Sequence, residues 1–386
     1  MPNLGSPVPS EIPLAANHFS AMGFAPADAS LRLNCSSIDS PQLHQKTLSS
    51  MNIESRIAIE EIEYTERSRL GSWIFFAPLP ELILAIAFLS IGIILSWQLG
   101  IEFSFPAGDA LEFTGMSYAV PLSLIAVLGL FLVLAKQTMR LVYYAAAGLA
   151  YGVILITHFN IKMWMSLINP IMWDDFYWNT DQMVRPLVEA SFAVHNWAEL
   201  IFPAGEHLYL FAFLAMFAGS IIVHSAQHFI VFRKVIFTAM LVHVLGALSY
   251  LVMPAAGPFL YEQGVNTLES ARQQHMYSGY QALVAGGRPW IASQGSQFMF
   301  AAVAAMPSLH VASSAVFVYY AWNHARWLGV LYLPLFVFII FEAVATRWHY
   351  WIDVVAGLAL TALAIAITAA LFRPIEAHDA ARQYQA

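Results

Sequence analysis

Charge is what this chain has least of. Only 11% of its 386 residues are Asp, Glu, Lys or Arg, where a soluble domain carries roughly a quarter, so a water-covered globular surface is excluded. Hydrophobic residues make up 59%, and that composition defines an integral membrane protein. Cysteine is almost missing as well: the single Cys35, in a polar stretch, excludes an intrachain disulfide and a thiolate metal site. Residues 1–30 lack the basic start, compact apolar run and small-residue cleavage site of a removable signal peptide, so the first span is expected to act as an uncleaved anchor. No basic stripe marks a nucleic-acid surface. The net charge of −7 says little about partners, because many acidic residues fall in the N-terminal segment and in loops.

What is present is a series of apolar runs. A spanning helix needs about 20 mainly apolar residues. The chain offers eight such runs, near 78–99, 117–136, 139–159, 207–226, 234–253, 308–323, 327–345 and 351–372. Before them, residues 1–50, rich in Ser, Pro, Asn and Gln, read as disordered, and the mixed Ile and Glu residues of 51–70 as a juxtamembrane helix. Lys136, Arg140, Arg233, Lys234, Arg326 and Arg373 all fall on one side of an eight-span arrangement. That side is expected to be cytoplasmic, with both termini inside. The organisation expected is a cytoplasmic tail over 1–73, two added spans over 74–137, a six-helix core over 138–373 and a tail over 374–386.

Two short polar clusters interrupt the C-terminal half, Met306-Pro307-Ser308-Leu309-His310 and Arg347-Trp348-His349-Tyr350-Trp351-Ile352-Asp353. Each sits at the end of an apolar run, and both land on the outer side. Ionisable groups at such places are costly and mark function. His349 and Asp353, four apart, share a helical face if the last helix begins near Trp348. The carboxylate can then fix the imidazole tautomer and sharpen the other ring nitrogen as a base or nucleophile. Ser308 starts a helix, whose free N–H groups favour a phosphate. His310 follows in the first turn, and the Arg347 fork matches phosphate oxygens. Together these residues make a metal-free phosphoryl-transfer site that calls for no cofactor.

Other polar residues read more plainly. His243, within the fifth span, is expected to be a hydrogen-bonded packing residue. His224 and His228 have metal-pair spacing but no evident third ligand, and are expected at the interface. Trp164, Trp173, Tyr177, Trp178 and Trp197 read as an aromatic belt at headgroup level. For Asp174, Asp175 and Asp181, beside them, the alternative is binding of a hydroxylated headgroup or a cation.

The two clusters resemble motifs of the type 2 phosphatidic acid phosphatase (PAP2) superfamily. Pro307-Ser308-Leu309-His310 is similar to its second motif, PSGH, and His349-Tyr350-Trp351-Ile352-Asp353 to the end of its third, SR-x5-H-x3-D. The forms MPSLH and HY-x2-D look like those of the inositol phosphorylceramide synthase-like branch. The resemblance implies an all-α membrane fold with a six-helix core. It further implies His349 as a nucleophile forming phosphohistidine, Asp353 as its orienter, His310 as proton donor to the leaving oxygen and Ser308 as a phosphate ligand. Two departures stand out. Ala343 occupies the place of the third-motif arginine, leaving Arg347 as a substitute. Of the first motif, K-x6-RP, Arg288-Pro289 is present with Gln281 in the lysine's place, so Arg288 is a further candidate phosphate ligand.

The function expected is transfer of a phospho-headgroup, of inositol phosphate type, from a phospholipid to a hydroxylated lipid acceptor at the outer leaflet of a bacterial inner membrane. The partners are then the bilayer and the two lipids, with no nucleic acid. The alternatives are a phosphatase acting on phosphatidic acid or a polyprenyl phosphate, and a non-catalytic lipid-binding or transport protein on the same fold.

Overall fold

The structure, a computed structural model, describes residues 79–107, 138–202, 208–227, 229–299 and 305–383. Its α-helices are α1 (Pro80–Leu99), α2 (Thr138–Ile168), α3 (Asp174–Met183), α4 (Arg185–Ile201), α5 (Leu208–Gln227), α6 (Phe229–Val252), α7 (Thr267–Gln294), α8 (Leu309–His324), α9 (Arg326–Ala345) and α10 (Trp351–Gln383). Among the described residues no strand occurs, and the protein is all-α. Among the described residues six stretches are long and apolar enough to cross a membrane: α1, Tyr143–Ile168 of α2, α5, α6, α9 and Trp351–Ala377 of α10.

Of the eight expected spans, the one at 117–136 lies outside the described residues, as do the 1–73 tail and its juxtamembrane helix. The span expected at 308–323 is α8, whose 16 residues reach about 24 Å, short of a hydrocarbon core of about 30 Å. α2 runs past its expected end at 159. Asn160 does not terminate it, because the amide bonds back to the Ile156 carbonyl and also pairs with both backbone groups of Ser104. Lys162 is therefore helical and inside the span.

α6 is apolar on every side, the pattern of a helix surrounded by others, and it joins two cores. Val235, Ala239 and Val242 enter one core with α5, α8, α9 and α10. Ile236, Met240 and Val244 enter the other with α1 and α2. Leu309 at the start of α8 fits against Gly246, where an added Cβ would meet its Cδ2 at 2.5 Å. At the basic end of the bundle Arg233 forks onto Glu81 at 2.8 and 2.9 Å, and Lys234 meets Glu376 at 2.8 Å. The polar clusters lie at the opposite end.

The expected aromatic belt is only partly a belt. Trp173 and Trp197 are exposed, but Trp164 and Tyr177 are completely buried. Trp164 packs edge-on against Phe103 at 5.2 Å, and Tyr177 packs beside Tyr350 at 5.8 Å. These two rings build the interior.

Candidate active site

The two sequence clusters meet. The Ser308 N–H donates to the Asp353 carbonyl at 3.0 Å, and Thr361 Oγ1 on α10 donates to the Ala312 carbonyl on α8 at 2.8 Å. Gly357 makes the approach possible, since a Cβ there would come within 2.6 Å of the Ser308 carbonyl oxygen. The start of α8 is thus pinned to the first turns of α10, bringing Ser308 and His310 to the end that carries His349 and Asp353.

His349 lies in the turn between α9 and α10 and is 8% exposed. Its Nδ1 is 2.8 Å from the Ala305 carbonyl oxygen, which can only accept, so Nδ1 carries the hydrogen and Nε2 keeps its lone pair. Asp353 Oδ2 stands farther from Nδ1, at 3.5 Å, and its short bond is from the Tyr350 N–H at 2.8 Å. The nearest orienter of His349 is therefore a backbone carbonyl, with Asp353 behind it. Burial lowers the His349 pKa to about 4, and the nearby Lys162 ammonium pushes the same way against the Ala305 bond.

His310 sits in the first turn of α8, edge-on to Tyr209 at 5.3 Å and Phe213 at 4.8 Å on α5. It is close enough to feel the charge of His349. Ser308 is fully buried in extended conformation at the N-cap. Among the described residues its Oγ has no hydrogen-bond partner, and neither has Asp353 Oδ1. The first intrahelical bond of α8 runs from Ala312 to Ser308, so the N–H groups of Leu309, His310 and Val311 have no helical carbonyl. A buried unpaired hydroxyl beside free N–H groups at a helix start suits an anionic oxygen.

Other expected site residues are held elsewhere. Arg347 is fully buried at φ 59. Its guanidinium meets Asp181 at 3.2 Å and Glu262 at 3.4 Å and lies over the Trp178 ring at 5.5 Å. Two carboxylates therefore face this guanidinium, which ties down the turn before His349, while its Nε and Nη2 make no hydrogen bond among the described residues. Asp181 also accepts from the Trp351 N–H at 2.9 Å. Burial pushes the Asp181 carboxyl up, opposed by that bond and by Arg347. Asp174 accepts from the N–H groups of Ala256 and Gly257 and from the Tyr350 hydroxyl, each at 2.9 Å. With their oxygens engaged internally, Asp174 and Asp181 tie segments together, and the headgroup-binding expectation does not carry over to them. Asp175, more exposed, accepts from the Tyr261 hydroxyl at 2.6 Å. Arg288, exposed on α7, lies beside Gly100 at the C-terminal end of α1, where a cation complements the helix dipole. Nothing in the structure brings it to the histidines.

Lys162 was missed by sequence reasoning. Its ammonium lies over the Tyr250 ring at 5.8 Å, and among the described residues no carboxylate pairs with it. The signal was in the chain: Lys162, six residues, then Asn169-Pro170 has the spacing of the first motif, with Asn in place of Arg. The Asn169 amide donates to the Leu251 and Val252 carbonyls, both at 3.1 Å, and closes the end of α6. His228, half of the expected interfacial pair, lies outside the described residues. Among the described residues no group of three His, Cys, Asp or Glu side chains is placed to hold a metal.

The fold defines a class: an all-α membrane protein, here with two histidines, His310 and His349, brought toward one end of its bundle. Residues 178–367, just under half of the chain, match the family model described as the PAP2 superfamily, whose members are generally phosphatases or phosphotransferases. The match runs from α3 into α10, taking in Ser308, His310, His349 and Asp353 and leaving out α1 and α2. No curated protein and no solved structure matches at a significant level.

Proposed function

We propose that this protein is a membrane lipid phosphotransferase in which His349 takes a phospho-headgroup, of inositol phosphate type, from a phospholipid and passes it to a hydroxylated lipid. The observation that carries this reading is the fixed tautomer of His349: Nδ1–H is tied to the Ala305 carbonyl, so the lone pair of Nε2 is available to attack. Nε2 bonds to phosphorus, the bond to the diacylglycerol oxygen breaks, and that oxygen takes a proton from His310. In the second step the acceptor oxygen bonds to phosphorus, the nitrogen–phosphorus bond breaks, and the hydroxyl proton returns to His310. Ser308, the α8 N-terminus and Lys162 hold the phosphate oxygens, which favours a site without metal. The site lies opposite the end bearing Arg233, Lys234 and Arg326, which supports an outer-leaflet location, at the periplasmic face of a bacterial inner membrane.

The test uses purified protein in vesicles holding phosphatidylinositol with ceramide or diacylglycerol, and phosphatidic acid in a separate sample. Phosphorus NMR follows the products. A new phosphodiester supports the transferase, while inorganic phosphate alone replaces it with a phosphatase. His349→Ala is expected to lower turnover on the order of a thousandfold or more, as for loss of a covalent nucleophile. No turnover in folded wild-type protein, or none lost in His349→Ala, leaves the non-catalytic lipid-binding reading in its place.

A further inference from the structure

α6 is the most buried of the long helices, yet His243 in its middle is partly exposed. An imidazole inside a membrane bundle is costly unless something uses it, and a second one faces it. His158 on α2 meets His243 at 5.6 Å between ring centroids. The two rings are held alike. His158 Nδ1 stands 2.9 Å from the His243 carbonyl oxygen, and His243 Nδ1 stands 2.9 Å from the Ala239 carbonyl oxygen. Both Nδ1 atoms must carry hydrogen, so each neutral ring offers Nε2 as an acceptor. Among the described residues nothing bonds to either Nε2.

This pair adjoins the candidate active site. His243 is three residues from Gly246, against which Leu309 packs, and Leu309 precedes His310. His243 and Lys162 are both close enough to His310 to act on its charge. Lys162 lies one turn beyond His158 on α2, and the Tyr250 ring lies beside both His158, at 5.7 Å, and the ammonium. On the far side the space is closed by Tyr151, edge-on to His243 at 5.5 Å and stacked on Phe217 at 5.9 Å. The two histidines thus stand among aromatic rings, His243 partly exposed and His158 buried, each with an acceptor nitrogen that nothing among the described residues occupies, and with Lys162 and His310 nearby.

Those chemistries divide the substrates. A lysine without a carboxylate suits an anionic phosphate. Two acceptor nitrogens among aromatic rings suit hydroxyl groups carried on an apolar body. We infer that His158 and His243 form the subsite for the alcohol that receives the phosphoryl group, accepting hydrogen bonds from hydroxyls of a lipid acceptor and turning the reacting oxygen toward His349. This rests on the phosphotransfer reading above and assigns its acceptor to a place. Both histidines are positioning residues.

The experiment measures partition. Full-length protein in phosphatidylcholine vesicles receives phosphatidylinositol as donor and ceramide as acceptor. The ratio of phosphodiester to water-released inositol phosphate is followed, and phosphohistidine is trapped in parallel. His243→Leu and, separately, His158→Leu are expected to shift the ratio toward water by about tenfold or more and to raise the acceptor KM. His243→Gln, which keeps an acceptor atom, is expected to recover most of the transfer. A ratio within about twofold of wild type in a leucine variant that still forms phosphohistidine overturns the inference and leaves the phosphotransfer reading standing. So does a wild type that passes the group to water alone. A wild type that forms no phosphohistidine overturns both.

Discussion

The protonation of His349 is set by where it is buried. Its pKa, lowered to about 4 by desolvation with Lys162 acting the same way, keeps the ring neutral where an exposed histidine, near 6.5, is already half protonated. The neutral ring is therefore expected to persist from neutral pH down to about pH 5 and to be half protonated near about pH 4. An NMR titration of the His349 imidazole across that range checks it; a midpoint near 6.5 would mean an exposed ring. The same shift acts on stability. Because the folded value lies below the unfolded one, the neutral ring's contribution is complete above about pH 6.5 and is lost as pH falls toward about 4. Arg347 is the other decisive residue, buried with Asp181 at 3.2 Å. Arg347→Met strands a buried carboxylate and is expected to cost about 3–5 kcal/mol, read as a lowered unfolding midpoint. A phosphate ligand at that position would instead raise the substrate KM and leave the midpoint in place.

At the scale of elements, the turn from Thr346 to His349 is gripped by the segment before and within α7. Gln273 donates to the Thr346 carbonyl at 2.7 Å, the Phe259 N–H to the Arg347 carbonyl at 3.2 Å, and Trp348 Nε1 to Glu269 at 2.7 Å. Two glycines permit the contact. Gly257, at φ 131, would put a Cβ 2.9 Å from the Trp348 carbonyl oxygen, and Gly264 would put one 2.6 Å from that of Thr346. Backbone cannot yield as a side-chain tip can, so Gly264→Val is expected to displace the turn, costing about 1–3 kcal/mol. Since reacting groups tolerate little misplacement, turnover is expected to fall about tenfold or more. Parallel turnover and thermal-unfolding measurements separate the two effects; unchanged turnover would show that the grip does not position His349.

At the scale of the whole molecule, two cores share α6, and the basic end is fastened by the Arg233–Glu81 fork between α6 and α1. Both side chains are at least nine-tenths buried, so Glu81→Leu leaves a buried guanidinium unpaired, at an expected cost of about 3–5 kcal/mol. The double variant Glu81→Leu, Arg233→Met is expected to recover most of that loss. Unfolding in detergent checks both, and equal losses in the single and double variants would refute the pairing argument. Because the pair lies at the end opposite His349, residual activity measured on folded protein is expected to stay near wild type.

Much of this was legible in the chain. Low charge and long apolar runs determine an all-α membrane protein, because a bilayer leaves unbonded backbone few alternatives. Ser308, the two histidines and the i,i+4 aspartate marked a candidate site, since polar groups at span ends are costly. Local pattern could not say which charges meet. Arg347 and Asp181 are far apart in sequence, and only the fold brings them together at 3.2 Å. The run expected to end near 159 continues through Lys162, because Asn160 finds its partners across the bundle. His243 is hydrogen-bonded within α6 as expected, and only the tertiary structure shows that it stands opposite His158. Sequence settled which residues the membrane makes expensive. Only the packing of α2, α6, α8 and α10 against one another decided which are already paired and which remain open to a ligand, because pairing depends on distances that no local spacing contains.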